Sequence, residues 1–206
     1  DLADRLPEGR KHLTGIARLS EQLTQLDLLK GNRVDVLCNG DEAYPAMIDA
    51  IEKATQSISM TTYIFDNDRA GRQFVDALSA AVKRGVEVRV LIDSVGARYS
   101  IPPVTRSLRA NGVRVATFMP SFVPWSTPYV NLRSHRKILI VDGHIGFTGG
   151  MNVREGNVLS SHSSHPTRDV HFRVTGPVVQ ELQATFVEDW HFTTRELLNG
   201  GAWFAP

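Results

Sequence analysis

Between His135 and Asn152 the chain reads HRKILIVDGHIGFTGGMN, which places an imidazole, an amine and an amide within one short stretch. Residues two apart on a strand share a face, so His135 and Lys137 point the same way as Leu139 and Val141, while Arg136 and Asp142 point the other way. Asp142-Gly143 is a tight-turn signal between two strand-forming runs, Lys137 to Val141 and Ile145 to Thr148, and the stretch predicts a β-hairpin. With Gly143 and His144 as a two-residue turn, Lys137 lies opposite Gly150 and His135 opposite Asn152, their side chains about 5 Å apart. A nucleophile-capable imidazole, a fixed cation and a neutral amide then surround a spot that a glycine leaves open. Such a spot suits a phosphate, whose displacement needs in-line attack and charge stabilisation on the non-bridging oxygens.

The spacing His135-x-Lys137, four residues to Asp142, six more to Gly149-Gly150 and one to Asn152 resembles the signature of the phospholipase D superfamily, the HKD motif. The resemblance implies that His135 is the nucleophile and forms a phosphoenzyme through a ring nitrogen. Lys137 and Asn152 would hold the phosphate oxygens, with Gly149 and Gly150 giving access, and no cofactor is expected. Asp142 belongs to the signature and is thereby nominated as catalytic, yet strand alternation puts it on the far face, where it reads as a turn and support residue. Asp169, entering the next predicted strand, resembles the downstream acid that pairs with the histidine in this superfamily.

That superfamily builds one site from two such motifs related by a two-fold axis. Here His12, His144, His162, His165, His171 and His191 all lack a Lys two residues on, so the chain carries one motif. The second is expected from a homodimer or from C-terminal sequence beyond Pro206. The stretches ARLSEQLT, GNRVDVL, YIFDND and DVHFRVTGPVVQELQATFVEDW resemble the N-terminal catalytic half of bacterial cardiolipin synthase-type enzymes. This implies transfer of a phosphatidyl group from a phospholipid to an alcohol, or to water, at the surface of the bacterial cell membrane. Two other readings stand beside it: a phosphodiesterase acting on nucleic acid, and a non-catalytic half serving lipid binding or assembly.

Composition bears on these readings. The 206 residues are 42% hydrophobic, enough for one ample core. Lys and Arg number 23 against 22 acids, so no bulk positive field favours a nucleic-acid partner. Cys38 is the sole cysteine, which excludes an internal disulfide and a cysteine-rich zinc site. His162 and His165 lie in a polar segment with no third ligand at useful spacing, and no metal site is predicted. No apolar run approaches the roughly 20 residues that span a bilayer. The chain opens on Asp1 rather than Met, and upstream sequence is expected to be missing.

The elements that must position the hairpin alternate. Leu13, Ile16, Leu19, Leu23 and Leu26 give helical spacing over 12–29. Strands are predicted at Val34–Leu37, Ser57–Phe65, Glu87–Ile92, Val113–Phe118 and Asp169–Val174. Helices are predicted over Tyr44–Ala54, Gly71–Lys83 and Val104–Ala110, and from Gly176-Pro177 to about Trp190. The pattern argues for a three-layer α/β/α sandwich with a mixed, mostly parallel central sheet, residues 33–206 forming the phospholipase D-like catalytic domain and 1–32 an N-terminal helical segment. Residues 120–130, PSFVPWSTPYV, break the rhythm with three prolines and three aromatics. They read either as a packed connector or as a lid whose Phe122, Trp125 and Tyr129 touch apolar tails.

Overall fold

A computed structural model describes residues 5–96, 101–119 and 134–204. Strands Arg33–Cys38 (β1), Ser57–Thr62 (β2), Glu87–Asp93 (β3), Arg114–Phe118 (β4), Ile138–Val141 (β5), Ile145–Gly149 (β6) and Val170–Thr175 (β7) form one sheet in the order β1-β7-β6-β5-β2-β3-β4. The sheet is mixed, as expected, but its parallel pairing is confined to β2-β3-β4. The other pairs, β5 with β2, β6 with β5, β7 with β6 and β1 with β7, are antiparallel. "Mostly parallel" therefore needs correcting for that half. A tight turn joins β5 to β6 and forces them antiparallel, whereas helices between β2, β3 and β4 supply the crossovers that parallel strands need.

Helices Asn39–Lys53 (α2), Arg69–Lys83 (α3) and Val104–Ala110 (α4) cover one face, and Val178–Thr194 (α5) covers the other; Thr14–Thr24 (α1) precedes β1. On the first face Tyr44, Met47 and Ile51 of α2 and Phe74 and Leu78 of α3 meet Ile58, Met60, Leu139 and Phe147 of the sheet. On the second, Val179, Phe186 and Trp190 of α5 meet Leu91, Ile138, Ile140 and Val174. Full burial of each such side chain contributes about 1.5–3 kcal/mol, so both faces of the central strands are held by packing. All of β2 is buried, although Ser57, Ser59, Thr61 and Thr62 are polar. Its polar face is not a solvent face: Gln183 Nε2 on α5 donates to Ser59 Oγ at 3.0 Å.

Local chemistry sets the helix starts. α2 begins at Asn39, five residues before the sequence reading placed it, because Asp41 and Glu42 suit a first turn and Glu42 Oε2 accepts from the Cys38 N–H at 2.7 Å. Asp68 caps α3 through its side chain, which accepts from the Gly71 N–H at 2.8 Å. α1 behaves differently from the rest: Ala17 is its buried residue, while Ile16, Leu19 and Leu23 are 66%, 56% and 75% exposed. Its apolar stripe faces outward.

β1, β6, β2, β3 and β4 run in one direction, and β5 and β7 run against them. The carboxyl ends of the first set and the amino ends of β5 and β7 thus lie along one rim. Crevices at that rim are where open α/β sheets bind ligands.

Candidate active site

His135 and Lys137 stand on the extended lead-in to β5. Arg136 between them turns to the opposite side and donates from Nη1 to both oxygens of Asp189 on α5, at 2.7 and 2.6 Å. That pairing fastens the lead-in to the sheet's α5 side and leaves its neighbours facing the rim. Lys137 Nζ donates to the His135 carbonyl at 2.7 Å. The His135 ring stacks on Tyr63, with centroids 4.2 Å apart and planes at 29°, and Lys137 Nζ lies 5.7 Å from the same ring's centre. Tyr63, just past the end of β2, therefore carries both groups.

The hairpin register differs by one residue from the two-residue turn assumed from sequence. Val141 pairs with Ile145 and Ile138 with Thr148, so the next step sets Lys137 opposite Gly149, not Gly150. Asp142 and Gly143 both have positive φ, 52° and 65°, and the Val141 carbonyl accepts from the His144 N–H at 3.1 Å. His144 is the extra residue on the returning side, and alternation alone cannot reveal it.

Asn152 reaches the same rim by a different route. Its Oδ1 accepts from the Ile64 N–H at 2.9 Å, which leaves Nδ2 as the donor end toward a ligand. Its carbonyl accepts from the Tyr44 hydroxyl at 2.6 Å, and that oxygen in turn accepts from the Arg154 N–H at 3.2 Å. Burial pushes the Tyr44 phenol far above its ordinary range, so it stays a donor. Neither Tyr44 nor Tyr63 was singled out as a site residue from sequence. The available signal was an aromatic closing a buried strand, in YIFDND.

Asp169 sits against the second glycine of the hairpin's end. A Cβ on Gly150 would come within 2.2 Å of Asp169 Oδ1, so the carboxylate fills the space that a side chain would take. Oδ1 accepts from the Val170 N–H at 2.7 Å, and the backbone is tied to Asn39 by Asn39 N–H to Asp169 O at 2.9 Å. Burial pushes the Lys137 amine down, and Asp169 pulls it part of the way back. A less hydrated ammonium, drawn by one nearby carboxylate, is suited to hold an anion.

Asp142 is not brought to this group. It stands at the other end of β5, ~16 Å along the strand from Lys137 at ~3.3 Å per residue. Its carboxylate accepts from Thr55 N–H and Oγ1 at 2.9 Å each, from Gln56 N–H at 2.8 Å and from Ser57 N–H at 2.9 Å. Burial alone would raise its pKa, but these donors outweigh it and hold the carboxyl below its usual range. The geometry gives Asp142 an anchoring task where α2 ends and β2 begins, and no reach to His135. Residues 120–130, with Phe122, Trp125 and Tyr129, lie outside the described residues. Among the described residues no group of three or more His, Cys, Asp or Glu could hold a metal ion, and no helix is long and apolar enough to cross a membrane.

A family profile described as "Cardiolipin synthase, PLD-like domain" matches residues 47–190, a span that includes Tyr63, His135, Lys137, Asp142, Asn152 and Asp169. The chain belongs to that family. It is 33% identical over 195 residues to a cardiolipin synthase of Alkalihalophilus pseudofirmus, covering 95% of this chain and 39% of the relative. To cardiolipin synthase 1 of Bacillus anthracis it is 38% identical over 162 residues, 79% of this chain and 32% of the relative. The chain thus spans about two fifths or less of the length of these curated relatives. The fold is shared with the phospholipase D family member Nuc from Salmonella typhimurium, at a TM-score of 0.60 and 22% identity, over 78% of this chain and 95% of that one. It is shared too with phosphatidylserine synthase from Haemophilus influenzae, at a TM-score of 0.57 and 16% identity, over 84% and 39%.

Proposed function

We propose that the chain transfers a phosphatidyl group between a membrane phospholipid and an alcohol or water, through a covalent intermediate on His135. The observation that carries this is the pairing of His135 and Lys137 over Tyr63, with Asn152 tied to the next residue, Ile64, and the Asp169 carboxylate acting on Lys137. An imidazole nitrogen attacks phosphorus, the phosphorus–oxygen bond to the head-group alcohol breaks, and that alcohol leaves with a proton. Lys137 and Asn152 hold the non-bridging oxygens as charge moves onto them, and Asp169 accepts from one ring N–H of His135, so that the other, attacking nitrogen carries no proton. In the second half the acceptor's oxygen displaces the histidine, its proton is taken up, and the ring nitrogen is freed.

The proton given to the first leaving alcohol comes from a group beyond this set, and we assign it to a second HKD half. That half belongs either to a twofold partner or to further sequence of the same protein. We infer that an N-terminal helical segment precedes the catalytic domain, which starts at residue 33: β1 opens at Arg33, and α1 leaves its apolar stripe uncovered. The bilayer that holds the substrate is the surface on which the protein works.

The test is to incubate the purified chain with phospholipid labelled in the phosphatidyl group, and separately with single-stranded DNA. Label should remain on His135 after a quench that spares acid-labile bonds, and it should be absent from His135→Ala. Lys137→Ala should lose about 100- to 1,000-fold in turnover, the scale of removing one main charge stabiliser. Cleavage of DNA without lipid turnover would move the assignment to a nucleic-acid phosphodiesterase. A symmetric dimer, seen by sedimentation in the active chain, would identify the second half as another copy.

A further inference from the structure

His171 takes no part in the steps above, yet it lies in the same row of the sheet. It follows Asp169 by two residues on β7 and so shares its face. β7 places His171 opposite Gly149, and Gly149 lies in turn opposite Lys137, one step beyond Ile138–Thr148. The middle position of this row has no side chain. A Cβ on Gly149 would come within 2.7 Å of His171 Nδ1, so the imidazole leans over the glycine toward the strand that carries Lys137.

The ring is 1% exposed, and neither nitrogen has a hydrogen-bond partner among the described residues. Lys137 and His171 together line a small pocket of about 10 Å³, walled also by Met47, Met60, Met151 and Thr62. Space of that size admits nothing larger than a water molecule, so substrate does not touch the ring. Met or Leu would suit these apolar walls, whereas an unpartnered buried imidazole is unfavourable. Keeping a polar ring there is a cost of the kind that collects at functional sites.

We propose that His171 is a positioning residue of the phosphoryl site, an uncharged imidazole whose unprotonated Nδ1 faces the Lys137 side and keeps that ammonium charged and directed at the phosphate. The inference rests on the phosphotransfer reading. Burial first, and then Lys137, push the His171 pKa down to about 4 against the opposite pull of Asp169, so the ring is neutral at working pH. The ionisable groups facing it are Lys137 and Asp169; α2 turns the apolar Met47 toward the same cavity.

The experiment compares His171→Met, His171→Leu and His171→Gln with the wild type on bis(p-nitrophenyl) phosphate and on phospholipid, recording thermal stability, kcat, KM and the alkaline limb of the pH profile. NMR of the lysine ammonium groups follows the Lys137 titration without substrate. The two apolar variants should keep or raise the melting temperature at pH 7, lose about 100-fold in kcat with KM nearly unchanged, and lower the Lys137 titration midpoint. His171→Gln, whose amide oxygen can accept, should recover part of kcat. Wild-type kcat in the apolar variants overturns the proposal, as does parallel loss of stability and activity in all three, which marks a packing role. If the Lys137 midpoint falls as expected but the wild type turns over no phosphodiester, the link between His171 and Lys137 stands and the phosphotransfer reading fails.

Discussion

The imidazole of His135 lies nearly flat on the ring of Tyr63, 4.2 Å from centroid to centroid, at the point where β2 ends. An imidazole on an extended lead-in has few other restraints on its χ angles, so this stacking sets how the His135 ring is presented at the rim. Tyr63→Phe keeps the ring and should hold kcat within about threefold, whereas Tyr63→Ala frees the imidazole and should cost about 10- to 100-fold. Steady-state turnover with phospholipid would distinguish the two; equal rates for both variants would remove Tyr63 from the site.

Asp142 and Asp169 should separate cleanly by phenotype. Asp142→Asn leaves one carbonyl oxygen to serve four donors from Thr55, Gln56 and Ser57, and should lower stability by about 2–3 kcal/mol. In a domain of this size that is ~5–10 °C in melting temperature, with turnover per folded molecule unchanged. Because the folded-state pKa lies below the unfolded one, the anchor is intact above about pH 4 and weakens as pH falls through its own pKa. Calorimetry from pH 7 down to pH 3 would show it.

Gly150→Ala should behave like Asp169→Asn. The new methyl group would overlap the Asp169 carboxylate, a short side chain that must then swing away from the rim. Each variant should slow formation of the phosphoenzyme by about tenfold or more, and the double variant should be little worse than either alone, since both remove the same group. Rapid-quench measurement of His135 labelling provides the reading, and additive losses would contradict the shared cause.

His171 gives the protein a pH-dependent stability of predictable sign. Its pKa falls from 6.5 to about 4 on folding, so the unfolded chain binds the proton more readily. Stability is then full above about pH 6.5 and declines by about 3 kcal/mol as pH drops toward 4. His171→Met should flatten that part of the curve in urea titrations at pH 7, 6 and 5. An unchanged slope would mean that the ring is not neutral in the folded protein.

Much of the site was legible because strand parity is a local rule. The shared face of His135 and Lys137 and the opposite turn of Arg136 follow from it, and the hairpin follows from Asp142-Gly143. The register did not, because one inserted residue, His144, slides every later pairing while leaving the hydrophobic pattern acceptable. The antiparallel joining of the hairpin to β2, and of β7 to β6 and β1, was likewise hidden, since a strand's composition does not state which neighbour it joins. His171 was within reach: the parity that paired His135 with Lys137 also pairs Asp169 with His171. The Tyr63 stacking was not, because it depends on where two distant chain segments end; an aromatic at the close of a buried strand was the signal available. For α1 the spacing of Ile16, Leu19 and Leu23 announced an apolar stripe without saying what it meets.

The position of β7 has a consequence for how the protein comes into being. It is the last strand among the described residues, yet it lies between β6 and β1, pairing Val170–Thr175 with residues Arg33–Cys38. During synthesis β1 must therefore wait, its edge unmatched, while more than a hundred residues emerge, and the loop closed by this pairing is among the longest in the domain. Contacts of such sequence separation make folding slow and leave partly built sheets exposed to wrong partners. Asp169 and His171 arrive with that same strand, so the rim is completed only when the sheet closes, and a chain arrested before residue 169 would hold His135 and Lys137 without either of them.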